Sequence, residues 1–241
     1  MKNSITKLIA ILFITTIFSS CAVDMFNKVT GNRNVISQDR KATDNFTGVK
    51  ISTGLDLYIS QGSKNTITVE ADENLHDIII TEVENGILKI YSEKGIWKAK
   101  SRKIYVTVKT LTSLKATSGS DIYGQDIIKT AEISISATSG ADIRVSIDAQ
   151  SIETSATSGA GIRISGIAVN HASSATSGSS IDAYELKSRN AIAKATSGAD
   201  INIYASERLE AKATSGGDID FMGNPKEINK KSNSGGSVSA K

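Results

Sequence analysis

Few of the residues that build enzymes or disulfide-stapled modules are present. Among 241 residues there are one cysteine (Cys21), one proline (Pro225), one tryptophan (Trp97) and two histidines (His76 and His171). A single thiol has no partner within the chain, so no internal disulfide framework supports the fold. One proline excludes long proline-rich stalks and linkers. The two histidines are isolated in sequence and read as ordinary surface residues. No nucleophile motif, phosphate loop or metal-spaced cluster accompanies them. Residues 8–18 form an apolar-rich stretch of only 11 residues, whereas a spanning helix needs about 20. Neither sign of charge dominates, with 28 basic and 25 acidic side chains. Removing residues 1–20 takes away Lys2 and Lys7 and no acid, leaving a net of +1. That balance offers no electrostatic case for nucleic acid or for an anionic membrane surface. Helix signals are also missing after residue 20, apart from room for one turn at 73–77.

The N-terminus has the layout of an export signal: Lys2 and Lys7, the short apolar stretch, then Ser19 and Ser20 directly before Cys21. Small residues before a lone cysteine resemble a bacterial lipobox, with Phe18 where leucine is usual. Cys21 is therefore the expected lipidation site, which tethers a protein to a membrane without spanning it. Ala22 stands after the cysteine instead of an aspartate, which favours the outer membrane. Residues 21–45 then read as a tether with a first edge strand near 34–37.

One seven-residue phrase dominates the second half of the chain. It reads ATSGSDI from Ala116, ATSGADI from Ala137, ATSGAGI from Ala156, ATSGSSI from Ala175, ATSGADI from Ala195 and ATSGGDI from Ala213, with a decayed SNSGGSV from Ser232. Successive copies are 21, 19, 19, 20, 18 and 19 residues apart. A period near 19 with so little slack marks a stacked β-solenoid. Residues 116–241 are assigned to it, each coil being two or three short strands joined by tight corners. Alternation along an extended chain puts the alanines and isoleucines inward, and puts Ser118, Ser139 and their counterparts inward too, as a buried hydroxyl ladder. The threonines form an outward column, single where ice-binding solenoids use two.

Residues 46–115 read as a β-rich N-terminal cap. Alternating runs occupy 49–52, 55–60, 66–71, 78–83, 87–92 and 104–109, and Asn85-Gly86 suits a type I′ hairpin. The stretch 51–57, ISTGLDL, shares the Gly-x-Asp-aliphatic core of the repeat and is a candidate divergent coil. Phe46, Tyr58, Tyr91, Trp97 and Tyr105 concentrate here, with packing of the cap expected for Trp97. The last copy runs directly to Lys241, leaving a bare C-terminal edge through which copies of the chain could associate.

The lipobox-like start, the segment NVISQDRKATDNFTGVKISTGLDLYISQG, the run ITVEADENL, the ATSG repeats and the closing GNPKEINKKSNSGGSV together resemble one family. It is the putative auto-transporter adhesin, head GIN domain family of Bacteroidetes-type lipoproteins, and the likeness spans about residues 31–240. The resemblance implies an all-β, right-handed parallel β-helix and a surface-associated product. It brings no catalytic residues. Unlike an autotransporter, the chain has no barrel-forming segments after its repeats.

Site candidates come from the columns. Asp121, Asp142, Asp200 and Asp218 recur at one corner and are candidate calcium ligands; the alternative is that each closes its own turn. Trp97, Arg144, Arg163 and Tyr184 are candidate binding residues for a glycan or protein ligand. No catalytic residue, metal or cofactor is expected. The sequence reads as a lipid-anchored, non-catalytic binding or structural protein at the outer membrane. The alternative is a polysaccharide lyase or hydrolase on the same scaffold, which needs paired carboxylates or a metal in a cleft.

Overall fold

The protein is described by a computed structural model over residues 28–41 and 45–241. The signal segment and Cys21 lie outside the described residues. The chain forms a β-solenoid of about seven turns with coils near 19 residues. Two ladders of strands flank the Ser-Gly corner. The ladder before it contains Gly48–Ile51, Ser113–Ala116, the second halves of Asp121–Thr138, Asp142–Thr157 and Gly161–Thr176, then Leu186–Thr196, Arg208–Thr214 and Glu227–Ser232, all parallel. The ladder after it contains Asp56–Gln61, the first residues of the same three long strands, then Ser180–Ala183, Asp200–Tyr204, Asp218–Met222 and Ser237–Ala240. Residues 127–133, 146–152 and 165–171 add a third short wall.

Slack in the repeat is absorbed at defined places. The 21-residue step carries a register shift between Tyr123 and Ile127. Gln61 braces this insertion: its backbone N–H donates to the Asp126 carboxylate at 3.2 Å, and its side-chain amide donates to Lys129 O at 2.9 Å and accepts from Lys129 N at 2.8 Å. The 20-residue step places its extra residue in the turn at Tyr184 and Glu185.

The expected alanine and isoleucine columns are buried. Ala116, Ala137, Ala156, Ala175, Ala195 and Ala213 are at most 1 % exposed, and Ile122, Ile143, Ile162, Ile181, Ile201 and Ile219 line the facing wall. The serine ladder is a different matter. Ser118, Ser139, Ser158, Ser177, Ser197 and Ser215 are exposed, with φ from 52° to 57°, and each is followed by a glycine with φ from 68° to 71°. Two successive left-handed residues make a type I′ corner. Strict alternation therefore breaks at the serine, one residue before the glycine bend. The residue after the glycine is the inward one: Ser120, Ala141, Ala160, Ser179 and Ala199 are at most 1 % exposed. The corner still carries a ladder, but of backbone, as each glycine N–H donates to the serine carbonyl of the next coil (Gly140 N to Ser158 O, 3.1 Å). At the position after the glycine, Ser120 and Ser179 satisfy themselves locally. Ser179 Oγ lies 2.8 Å from Ala156 O, and Ser120 Oγ accepts from Gly54 N at 3.1 Å.

The N-terminal coils are stacked out of chain order. Thr53 and Gly54 form the same corner (φ 65° and 70°), and Gly48–Ile51 pairs with Ser113–Ala116, in which Ile51 lies opposite Ala116. On its other side this coil meets Ile87–Ser92 and Arg102–Val108, so it is inserted between two segments that come after it in sequence. The N-terminal edge is closed by antiparallel strands, Ile79–Glu84 on one ladder and Thr66–Asp72 then Val35–Arg40 on the other. Asn85 and Gly86, with φ of 52° and 74°, make the hairpin that turns the first of these. At the other end Glu227–Ser232 is exposed throughout. It carries Lys230 and Lys231.

Neither histidine is on the surface. His76 is 4 % exposed, with Nε2 at 3.2 Å from the carbonyls of Ile36 and Ala71, under the outermost strand. His171 is 2 % exposed and stands in the column Ile152–His171–Ala191 within the core. Its Nε2 lies 2.9 Å from Thr154 Oγ1, while Nδ1 has no partner among the described residues. Burial pushes its pKa down to about 4. Trp97 also departs from expectation. It is 59 % exposed and does not pack the cap.

Candidate functional site

The out-of-order stacking assembles one outward column that no contiguous stretch of sequence contains. Tyr105, Tyr58 and Tyr123 occupy equivalent positions on three neighbouring strands. Strands repeat at about 4.8 Å, so flat side chains in one column must stack. Ring centroids are 5.1 Å apart for Tyr58–Tyr105 and 5.3 Å for Tyr58–Tyr123, with interplanar angles of 23° and 25°. Each such pair contributes about 0.5–1.5 kcal/mol beyond area burial. The column continues as Arg144, Arg163 and Asp182. The Arg144 guanidinium lies 5.6 Å from the Tyr123 centroid, and Arg163 Nε donates to Asp182 at 3.1 Å.

Polar groups flank the tyrosines. Tyr123 Oη donates to Asp121 at 3.3 Å, and its pKa is raised by burial and by that carboxylate. Lys103 Nζ is 5.7 Å from the Tyr58 centroid. Asp56, which faces both Lys103 and Asp121 along the ladder, has a raised pKa because burial outweighs Arg102 and Lys103. At Gly161 in the aspartate column the Asp142 carboxylate leans over the position of the absent Cβ, beside a notch of about 110 Å³ bounded by Asp142, Arg144, Arg163, Ser180 and Asp182. The whole is an open, hydrogen-bonding surface with aromatic edges and alternating charges.

Sequence candidates separate on this frame. Arg144 and Arg163 belong to the column. Asp121 and Asp142 are register neighbours, as are Asp200 and Asp218, and all but Asp200 have local partners. Asp142 faces Arg144 at 3.8 Å, and Asp218 accepts from Ser237 Oγ at 2.5 Å. Among the described residues no three carboxylate, histidine or cysteine groups converge as a metal site. Tyr184 lies two residues beyond Asp182 on the same coil, its pKa raised by burial and by Asp220 and Asp182. Trp97 lines an adjoining depression of about 450 Å³ with Arg33, Asp56, Lys98, Lys100, Arg102 and Lys103, the last of which also lies by Tyr58. Cys21 is outside the described residues.

Two features of this face are not among the sequence candidates. Tyr58 and Tyr123 carry no local signal as a pair, because their meeting depends on the inserted coil. The basic run is masked by a net charge near zero, yet from Lys94 to Lys109 the chain holds six cations and no acid.

The family described as putative auto-transporter adhesin, head GIN domain matches residues 45–225. Solved structures share the fold. A putative adhesin from Bacteroides fragilis superposes with a TM-score of 0.82 at 18 % identity, covering 88 % of this chain and all of that one. A putative adhesin from Parabacteroides merdae gives 0.72 at 20 % identity, covering 89 % and 99 %. A putative lipid binding protein from Parabacteroides distasonis gives 0.71 at 21 % identity, with the same coverage. No curated protein matches the sequence.

Proposed function

The chain belongs to the putative auto-transporter adhesin, head GIN domain family, and we propose that it is an exported, non-catalytic binding protein whose outward tyrosine–arginine column holds a carbohydrate. The observation that carries this reading is the contiguous surface of three stacked tyrosines, two arginines and the notch at Gly161. Phenol edges, guanidinium donors and carboxylate acceptors set about one coil apart suit the hydroxyls of successive sugar units. Stacking on the flanks holds the groups in place before a ligand arrives, which lowers the ordering cost of binding. Family membership supports export and a cell-surface role. The lipobox-like start supports an acyl anchor at Cys21 and an outer-membrane address.

A glycan-processing reaction finds no support on this face. Glycoside hydrolysis needs two carboxyl groups opposed across the scissile bond. Here Asp142 and Asp182 each sit beside an arginine on an open wall. The test is a glycan-binding screen with the parent chain, Tyr58→Ala and Arg144→Ala, run alongside lyase and hydrolase assays. The expected result is binding without turnover, weakened at least tenfold by either substitution. Binding indifferent to both, or turnover abolished by changing a carboxylate, overturns the reading.

A further inference from the structure

We propose that the edge bearing Trp97 and its basic run docks onto an anionic lipid bilayer, setting the N-terminal end of the solenoid against the membrane. Lys98, Lys100, Arg102, Lys103 and Arg33 line one shallow depression with a single carboxylate, Asp56. None of these five cations makes an ion pair within 4 Å among the described residues. An exposed indole rimmed by lysines is the arrangement that settles at a headgroup layer, the ring at the interface and the ammonium groups reaching the phosphates.

The edge is rigid before it meets anything. Asp72, fully buried, accepts from Arg33 N at 2.9 Å, Lys100 N at 3.0 Å and Ser101 N at 3.0 Å. Gly31 is a glycine because a Cβ there would overlap the Asp72 carboxylate. The segment that carries the cations is thus tied to the cap by backbone, and docking incurs little ordering cost.

The position of the tether selects a bilayer over a soluble polyanion. Val29–Thr30 pairs with Ile96–Lys98, and Lys28 Nζ lies 5.1 Å from the Trp97 centroid. Cys21 is seven residues upstream of Lys28, a span of at most about 25 Å. This step rests on the acyl anchor proposed above. An anchor so close keeps the basic edge at high effective concentration near the headgroups and sends the later coils outward.

Trp97 is the chain's only tryptophan, so its fluorescence reports this edge alone. The experiment uses the chain from residue 21 onward with Cys21→Ser, which separates surface docking from the anchor. It is titrated with vesicles of equimolar phosphatidylglycerol and phosphatidylethanolamine, with pure phosphatidylcholine vesicles, and with soluble polygalacturonate. The expected result is a blue-shifted, lipid-quenchable emission with the anionic vesicles only, lost at high salt. Each lysine removed should weaken partitioning about fivefold, and Lys98→Gln/Lys100→Gln/Lys103→Gln about a hundredfold. Unchanged far-UV circular dichroism shows that the triple variant remains folded. No affinity for anionic vesicles, equal affinity for phosphatidylcholine, or retention by polygalacturonate without vesicle binding overturns the proposal. Acyl labelling of the native chain tests the anchor independently.

Discussion

His171 sets a pH limit on this fold that can be worked out and measured. Burial holds its folded pKa at about 4, against an ordinary value of 6.5. A group whose folded pKa is depressed in this way is neutral in both states above pH 6.5. Between 6.5 and 4 the unfolded chain binds a proton that the folded chain refuses, so stability falls as the pH falls. At 1.36 kcal/mol per unit, the full effect is about 3 kcal/mol, and about 2.5 kcal/mol is gone by about pH 4.5. The perturbation is His171→Leu, because the column already carries Ile152 and Leu209 at equivalent positions. Leucine leaves the buried Thr154 hydroxyl without its imidazole partner, a loss of about 1–3 kcal/mol at every pH. Thr154→Val/His171→Leu removes that offset. Urea unfolding monitored by far-UV circular dichroism, at about pH 7.5 and about pH 4.5, gives the quantity that matters: the difference in slope with pH between parent and variant. Other groups titrate equally in both and cancel. Equal acid destabilisation of parent and His171→Leu would refute the assignment, whatever their absolute stabilities.

The same geometry sets other outcomes. Ser139→Asn should stabilise by up to about 1 kcal/mol, because Asn-Gly is the preferred type I′ pair, whereas Ser139→Val should cost about 1–2 kcal/mol at a left-handed residue; thermal melts in the opposite order would refute the corner. Asp72→Ala should cost about 3 kcal/mol by stranding three N–H groups. Although burial opposes its charge, those donors and Arg33 hold the Asp72 pKa below its ordinary value. Its stabilisation is therefore present above that ordinary value and lost as the pH falls through the lower folded one, and Asp72→Ala should lack this acid loss. Palmitate labelling of cells should vanish with Cys21→Ser, and persistent label would remove the anchor.

The parts of this fold that obey a local rule are legible in its sequence. Nineteen-residue spacing places the alanine and isoleucine columns, and Asn85-Gly86 places its hairpin. The serines mislead because alternation assumes an extended backbone, and two consecutive left-handed residues shift the parity by one. Nothing in the letters ATSG announces that shift, since serine is uncommon at positive φ. The burial of His171 is within reach. Counting one coil on from Ile152 lands on it, so the repeat places it inside a column that holds aliphatic residues on most other levels. Judged by residue type alone it belongs on the surface; judged by its column it belongs in the core.

The tyrosine site is hidden for a deeper reason. Tyr58 lies 47 residues before Tyr105 and 65 before Tyr123, and neither separation is a multiple of the 19-residue period. They meet because the coil begun at Gly48 is inserted between Ile87–Ser92 with Arg102–Val108 on one side and the repeat array on the other. A solenoid that stacks in chain order presents each outward column as a periodic string, which constrains what neighbouring positions carry. Breaking that order at the N-terminal end frees three tyrosines and a lysine-rich edge to be placed side by side without disturbing the repeat. The later coils, bound by the ATSG corner, are nearly free of aromatics. On the proposed reading, substitutions that abolish binding should cluster along the column from Tyr105 to Arg163, while those in the coils beyond Asp182 chiefly alter stability.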